Sequence, residues 1–494
     1  MPSSISASSS RQAIRDGLTT RARRAIAMMA LGAVLALLAY AGLVVLQMGS
    51  WAGAEWWLRD ITELRRMLYK ERLAALPPDQ PKVVMFAGSA SLFGANTPVI
   101  AEESGLPFLN FGQHAGLDID LIALSASDFI QAGDKVVAPF EFELYARDKP
   151  SELTPANFLA IYYRYAAPLP LARDIEILKA TSPFRIFEGL KDALRYRLSG
   201  VRSYPVREGE ALRQAWHEES ADPEAAPQWP YSISSVSPDG DLIVPENTPA
   251  SRLAGLSKLT TPNSASISPF ALRQLTGWQR FIDARGAHLY MTWPVIVEDD
   301  HGTIFTPEYW QTLIDLARRA DAEGFPIHCD PISMIVPRQY RYDTVYHVNV
   351  KGQFLYSKAL GACIRSIADE PFDFAHADPE ELAKRARERV DSLRQPVAPF
   401  LLPYERNLDR LATLAATLAA DKAANGAFPA ELSSGSDLPD IWYRSDGRDY
   451  KLLIEDPEEC YTVAMAMPER ADPVRSKDGR CAAYGYWSAG AKDW

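Results

Sequence analysis

From Ala25 to Met48 the chain reads AIAMMALGAVLALLAYAGLVVLQM, without one charged side chain. A helix needs about 20 apolar residues to cross a bilayer, so this run is long enough to span. Arg11, Arg15, Arg21, Arg23 and Arg24 precede it, and Trp51, Trp56 and Trp57 follow it. Basic residues on one flank and indoles on the other place residues 1–24 in the cytoplasm and everything after residue 50 outside. The alternative is a signal peptide cleaved at Ala52-Gly53-Ala54, but the apolar core of a signal peptide is only about 7–15 residues. The expectation is therefore an uncleaved anchor. No second span follows, so the chain reads as a single-pass protein with a large exported body.

That body is globular in composition, with 47% hydrophobic and 23% charged residues. A length of 494 residues leaves room for roughly three domains. The net charge of −11 argues against a protein that tracks nucleic-acid phosphates. There is no glycine-rich phosphate loop and no internal repeat. Cysteines in an exported chain need not stay reduced. Cys460 and Cys481 bracket a short loop-rich stretch and are expected to pair; Cys329 and Cys363 read better as buried free thiols. None has zinc-ligand spacing, and no metal or cofactor is implied.

Residues 55–76, EWWLRDITELRRMLYKERLAAL, have helical periodicity and stop at Pro77-Pro78. They read as a juxtamembrane helix within residues 49–80 that lifts the body off the membrane. Strands and helices then alternate. VVMF, PFLNFG, KVVAPF, HLYMTWP and FPIHCD are strand-like; LDIDLIALSASDFIQ, LRQLTGWQRFIDARG and EYWQTLIDLARRADAEG are helical. This order predicts an α/β fold, a parallel sheet flanked by helices. Between about residues 150 and 265 polar, Pro- and Ser-rich text marks a long insertion, either a lid over a site or a surface excursion. Residues 374–403 read as a charged helix and a Pro-rich linker. Residues 404–494 form a small α+β domain: a helix with Leu408, Leu411, Ala415 and Leu418 on one stripe, then DYKLLI, CYTVAM and CAAYGYWS as short antiparallel strands.

Two segments carry chemistry. In KVVMFAGSASLFGAN a buried strand breaks at Gly88-Ser89 just where a helix starts. A hydroxyl there sits at the carboxyl edge of a parallel sheet, where ligands bind; by itself the stretch is also an ordinary turn or cap. In RYDTVYHVNVKGQFLYSKAL, Asp343 lies four residues before His347, and Asn349 and Gly352 open a helix. A serine needs an adjacent base, and a carboxylate orients that base. Alone, such a histidine reads as a loop histidine capping the following helix.

Taken together, these segments resemble the SGNH/GDSL hydrolase superfamily, in particular a membrane-anchored bacterial branch linked to acylation of exported polysaccharides. Ala87-Gly88-Ser89 followed by Leu92-Phe93-Gly94 is similar to the first block, which makes Ser89 the nucleophile and not Ser91. Asn110 to Leu117 is similar to the second block, and the resemblance implies that the Gly112 N–H joins the serine N–H in an oxyanion hole. PFEFELY resembles the third strand and ends in Glu141 and Glu143. Asp343 to Asn349, with Gly352, is similar to the last block and supplies the base His347 and its carboxylate Asp343. The resemblance spans about residues 81–365, within a domain expected at 81–373, and is specific mainly in the first, second and last segments. Ala87 replaces a usual glycine, and the Asp-to-His spacing is four where three is usual. The Gly-X-Asn-Asp motif that completes the oxyanion hole in ordinary esterases is missing, and Glu141 stands nearby instead. What the resemblance implies is a bacterial inner-membrane protein with its body in the periplasm. It would move an acetyl or other acyl group, exported by a partner integral-membrane acyltransferase, to an exported polysaccharide, with Gly112, Glu141 and Asn349 lining the site. A deacetylase and a non-catalytic glycan-binding or assembly subunit remain as alternatives. The carboxy-terminal domain resembles the globular head of type II secretion pseudopilins, with Tyr484, Tyr486 and Trp487 as candidate glycan contacts or as core.

Overall fold

Strand β1 (Val83–Met85) is three apolar residues with no exposed surface, and it forms the centre of the main sheet. In this computed structural model β1 lies between β2 (Phe108–Asn110) and β3 (Lys135–Ala138), with β4 (His288–Met291) beyond β3, all parallel. The structure describes residues 6–48, 56–162, 168–201, 204, 206–221, 231–245, 266–368, 372–394, 403–432, 441–475 and 481–494. Val83 pairs with Phe108 on one side and Lys135 on the other. Met291 makes a parallel bridge to Ile327, where FPIHCD was expected to give a full strand. β5 (Ile296–Val297) and β6 (Ile335–Val336) form a second parallel pair. Because β1 has its sequence neighbours β2 and β3 on opposite sides, the chain leaves it in opposite directions, which opens a crevice at the carboxyl ends.

The flanking helices begin where their sequences say they should. Ser268, Thr306 and Asn349 each accept a first-turn N–H, with Pro269 and Pro307 at the first helical positions of Pro269–Asp283 and Pro307–Ala322. LDIDLIALSASDFIQ is shorter than its pattern suggests: helix Ile119–Leu124 and a 3-10 turn at Ser127–Phe129. The helix Pro379–Arg394 is tied to the body by Arg394–Glu298 and Arg385–Asp330 ion pairs, so the linker lies beyond it, at 395–402, outside the described residues.

The largest departure concerns helix Trp56–Ala74. It is no spacer: Trp56, Leu58, Ile61, Leu64 and Tyr69 are buried in the body, each side chain contributing roughly 1.5–3 kcal/mol. Its polar positions are buried as well. Arg65 Nε donates to Gly240 O and Nη1 to Gly112 O, both at 2.6 Å, and Tyr69 Oη donates to Asn110 O at 2.8 Å. Charges that look solvated in a helical wheel are here matched to backbone carbonyls at the sheet edge.

Two units emerge. One holds residues 1–54 and 156–205, and the other holds 55–155 and 206–494. In the first, Arg21–Gln47 is long and apolar enough to cross a membrane, and helices Leu171–Ala180 and Pro183–Ser199 accompany it. In the second unit, the rest of the insertion, with helix Gly209–Ala221 and residues 231–245, packs into the body. The insertion is thus divided; residues 222–230 and 246–265 lie outside the described residues.

The carboxy-terminal region is helix Pro403–Asn425 and a small antiparallel sheet, β7 (Ile441–Ser445), β8 (Tyr450–Ile454) and β9 (Tyr484–Trp487). Leu408, Leu411, Leu452 and Tyr484 belong to one hydrophobic cluster that also contains Ile61, Leu92 and Phe93 of the body. CYTVAM is not a strand but part of helix Pro457–Ala466. The start signal precedes it: Asp456 Oδ1 accepts the Glu459 N–H at 2.9 Å, and Pro457 opens the helix. Its β-like composition yields to that cap.

Cys460 pairs with Cys481, and Cys329, contrary to its reading as a free thiol, pairs with Cys363. Fold topology brings the latter two within 5.7 Å between Cα atoms, across a separation of 34 residues. Loops of 34 and 21 residues correspond to about 3–4 kcal/mol each of lost unfolded-state entropy. Peptide mapping without reductant should recover both pairs. Replacing Cys329 and Cys363 with alanine should lower stability in urea by about 3 kcal/mol; free alkylation of both in native protein would mean the bond does not form.

Candidate active site

Gly88, three residues past the end of β1, is the cap position of the helix Ser89–Gly94, which Ser89 opens. Glu141, three residues past the end of the adjacent β3, reaches across to this turn. Its Oε2 accepts the Gly88 N–H at 3.1 Å and its Oε1 accepts the Ala90 N–H at 2.7 Å. The Ser89 hydroxyl lies between them and donates to Oε1 at 3.4 Å. A Cβ at Gly88 would collide with the Glu141 carboxylate, so glycine is required there. Glu141 is buried, and burial pushes its pKa up to about 7, against the Ala90 and Gly88 N–H bonds that favour the anion. Glu143, two residues on, is also raised by burial and accepts from Tyr346 Oη at 3.1 Å.

Residues 341–348 form a closed loop: Arg341 bridges Val348, and the Tyr342 N–H donates to His347 O at 2.8 Å. The loop puts Asp343 against the imidazole, with Asp343 Oδ1 at 2.5 Å from His347 Nδ1. The other Asp343 oxygen accepts from Tyr231 Oη at 2.7 Å. Burial alone raises a carboxylate, but the bonds from His347 and Tyr231 outweigh it and hold Asp343 below the ordinary range. With Nδ1 facing a carboxylate, the tautomer carries its proton there and leaves Nε2 as the base. That Nε2 is buried and has no protein partner.

Two contacts bring the histidine to the serine's helix. His347 lies on Phe93 with ring centroids 4.3 Å apart, and Phe93 is four residues after Ser89, on the same helical face. Gln353 Nε2, in the helix that follows His347, donates to Phe93 O at 3.1 Å and to Leu242 O at 2.5 Å. Ser89 and His347 thus lie within one helical turn of the same aromatic ring, while the serine hydroxyl bonds to Glu141 and not to the imidazole.

The remaining expected residues have mixed roles. The Gly112 N–H donates to Asn110 Oδ1 at 2.9 Å, so it is already engaged, and a Cβ there would meet the Leu92 backbone. Asn110 in turn donates to Ser91 O and Asp241 Oδ1. Asn349 is the cap of helix Val350–Ser366, its Oδ1 accepting the Gly352 N–H at 3.1 Å, which occupies its side chain structurally. Ser91 is fully buried with its hydroxyl unpartnered, and it is not at the crevice. In the carboxy-terminal domain Tyr484 is core, and the Arg470 guanidinium lies over the Tyr486 ring at 3.9 Å. Lys451 Nζ is 5.4 Å from the centroid of Trp487.

The sequence reading missed Tyr231, which lies in the insertion and has no local motif, and His114, which lies inside the quoted Asn110–Leu117 stretch. Tyr231 packs edge-on against Trp57 and Phe93 at 5.0 and 4.9 Å. His114 Nδ1 accepts the Gly116 N–H at 2.9 Å, leaving its proton on Nε2. Burial, with nearby His347 and Arg147, pulls its pKa to about 4, so it stays neutral at physiological pH. Comparison of the chain with protein-family models, with curated proteins and with solved structures returned no match.

Glu141 makes stability pH-dependent. Its folded value of about 7 exceeds the ordinary 4.5, so the folded form keeps a proton that the unfolded chain has lost. Its contribution therefore weakens as pH rises from 4.5 towards 7. Glu141→Gln should flatten that decline in urea titrations at stepped pH; an unchanged slope would show that Glu141 does not hold the proton. Ser91→Ala removes an unpartnered buried hydroxyl and should leave stability unchanged or slightly raised in the same assay.

Proposed function

We propose that this protein is a membrane-anchored, SGNH-like acyltransferase of the bacterial periplasm that passes an acyl group, acetyl first among candidates, to an exported polysaccharide. The observation that carries this reading is the Asp343–His347 couple, with Nδ1 held and Nε2 buried and open, stacked one helical turn from Ser89. The parallel sheet with Ser89 at the carboxyl end of its central strand supports the SGNH-like part. The long apolar helix supports the anchor.

In this mechanism the Ser89 hydroxyl leaves Glu141 for His347. Nε2 takes the hydroxyl proton as Oγ attacks the acyl carbonyl, and the imidazolium returns that proton to the departing donor group. A sugar hydroxyl then attacks the acyl-enzyme, giving its proton to Nε2, and the imidazolium passes that proton to Ser89 Oγ as the Ser89 ester bond breaks and the acyl group stays on the glycan. Asp343 keeps the imidazole tautomer and balances the imidazolium charge; Tyr231 holds Asp343. The Ser89 N–H faces the developing oxyanion, and the Gly112 N–H joins it on release from Asn110. An integral-membrane acyltransferase delivering the acyl group is the partner that the SGNH resemblance implies. Water in place of the sugar makes the same site a deacetylase.

One observation favours a second reading, a non-catalytic glycan-binding subunit: the Ser89 hydroxyl bonds to Glu141. The two readings separate cleanly. Under the first, Ser89→Ala and His347→Ala each lower polysaccharide acylation about 10³-fold, and intact mass detects an acyl group on wild type but not on Ser89→Ala. Asp343→Asn is also damaging, because the amide reverses the tautomer preference, and Tyr231→Phe costs roughly tenfold through the loss of one bond to a carboxylate. Full acylation by Ser89→Ala at normal protein level establishes the binding-subunit reading.

A further inference from the structure

The helix Pro183–Ser199 has two unlike faces. Arg185, Ile186, Gly189 and Ala193 are buried. Through that face it meets the end of the long apolar helix. Gln47 Nε2 donates to Ile186 O at 2.9 Å, and Arg185 Nη1 donates to Gln47 Oε1 at 2.6 Å. A Cβ at Gly189 would strike Gln47 Oε1, so glycine is what admits the glutamine. Tyr40, Val44, Leu46, Gln47 and Met48 are the partly or fully covered positions there, with Tyr40, Val44 and Gln47 on one face, which confines the contact to the last turns of the apolar helix.

The opposite face is bare. Phe184, Phe187 and Leu198 are 72%, 64% and 86% exposed. With Leu190 and Leu194 they fall within about 120° of a helical wheel. Arg195 and Glu188 run along one side of this stripe and Arg197 along the other, while Lys191 lies within its edge between Phe184 and Leu198 and pairs with Glu188 at 3.2 Å. The helix carries four basic residues (Arg185, Lys191, Arg195, Arg197) and two acidic ones (Glu188, Asp192). The preceding helix, Leu171–Ala180, likewise leaves Leu171 and Ile175 exposed.

We propose that Pro183–Ser199 lies in the membrane–water interface, with Phe184, Phe187, Leu194 and Leu198 in the outer edge of the acyl layer and Lys191, Arg195 and Arg197 at headgroup phosphates. This rests on the reading that Arg21–Gln47 spans the bilayer. The depth argument is geometric: a helix bonded to the last residue of a span is held at headgroup level. An apolar stripe with basic margins is the composition that such a level selects. Long basic side chains lay their stems along the apolar boundary and keep their charges at the phosphates. The span then does not enter the exported side alone but carries a second, surface-lying helix that fixes its end at the interface.

The test uses full-length protein in vesicles of three parts phosphatidylcholine to one part phosphatidylglycerol. Single nitroxide labels go on Phe184→Cys, Phe187→Cys and Leu198→Cys; the four native cysteines are paired and do not compete. Leu38→Cys marks the span and Asp192→Cys the polar side. Collisions with oxygen should exceed collisions with a water-soluble nickel chelate at 184, 187 and 198, as at 38, and the order should reverse at 192. Nickel access at 184, 187 and 198 with Leu38 still protected overturns the interfacial placement while leaving the span intact. Exclusion of both reagents, with dipolar broadening between labels, shows a second copy covering the face and also overturns it. Nickel access at Leu38 itself removes the span, and the proposal falls with it.

Discussion

A single carboxylate holds the site's central turn. Glu141 accepts the N–H groups on both sides of Ser89, and the serine hydroxyl bonds to the same oxygen as Ala90. The bond pattern exists only because β1 and β3 are parallel neighbours: their carboxyl ends are adjacent, so the residue leaving one strand meets the turn leaving the other. Gly88 follows from this, since no side chain fits between the turn and the carboxylate. The cost is a buried acid, and its upward-shifted pKa records it. Ser89 is thereby presented on a rigid turn, which is what a nucleophile or a binding hydroxyl at this position needs.

Around that turn a buried polar network does the work that apolar packing does elsewhere. Asp241 accepts from Thr97 Oγ1 at 2.8 Å and from Asn110 Nδ2 at 3.1 Å, and Asn110 also holds Ser91 O and the Gly112 N–H. Arg65 holds the carbonyls of Gly112 and Gly240. Four chain segments distant in sequence are fixed to one another in this way, with each bond short and directional. Buried networks of this kind specify one arrangement, because any displaced member leaves an unpaired polar group in a low-dielectric interior. Helix Trp56–Ala74 supplies Arg65 and Tyr69 to it, which explains why a segment so close to the apolar run is built into the body.

The histidine side of the site depends on a different device. Asp343 and His347 come from one short closed loop, so their pairing is local, whereas their meeting with Ser89 is set by Phe93 and by Gln353. Tyr231 then reaches Asp343 from the insertion. The insertion is accordingly neither a simple lid nor a surface excursion: one part accompanies the apolar helix, and another part completes the carboxylate's hydrogen bonding.

Much of this was legible in the residues themselves. The apolar run, the alternation of strands and helices, the helix opening at Asn349, the break at Gly88-Ser89 and the four-residue spacing of Asp343 and His347 are all local patterns. Each rests on near-neighbour physics: periodic burial, first-turn N–H satisfaction, backbone freedom at glycine. Even the misread CYTVAM was decided locally, by an Asp-Pro start signal stronger than its β-like composition. Tertiary structure alone decided that Glu141 meets Gly88, that Tyr231 meets Asp343, that Cys329 meets Cys363 and that helix Trp56–Ala74 is buried. Those contacts join residues from 34 to more than 100 positions apart, and they follow from strand order and loop closure. No local pattern encodes such a meeting, because the free energy that selects it comes from burying the whole set together.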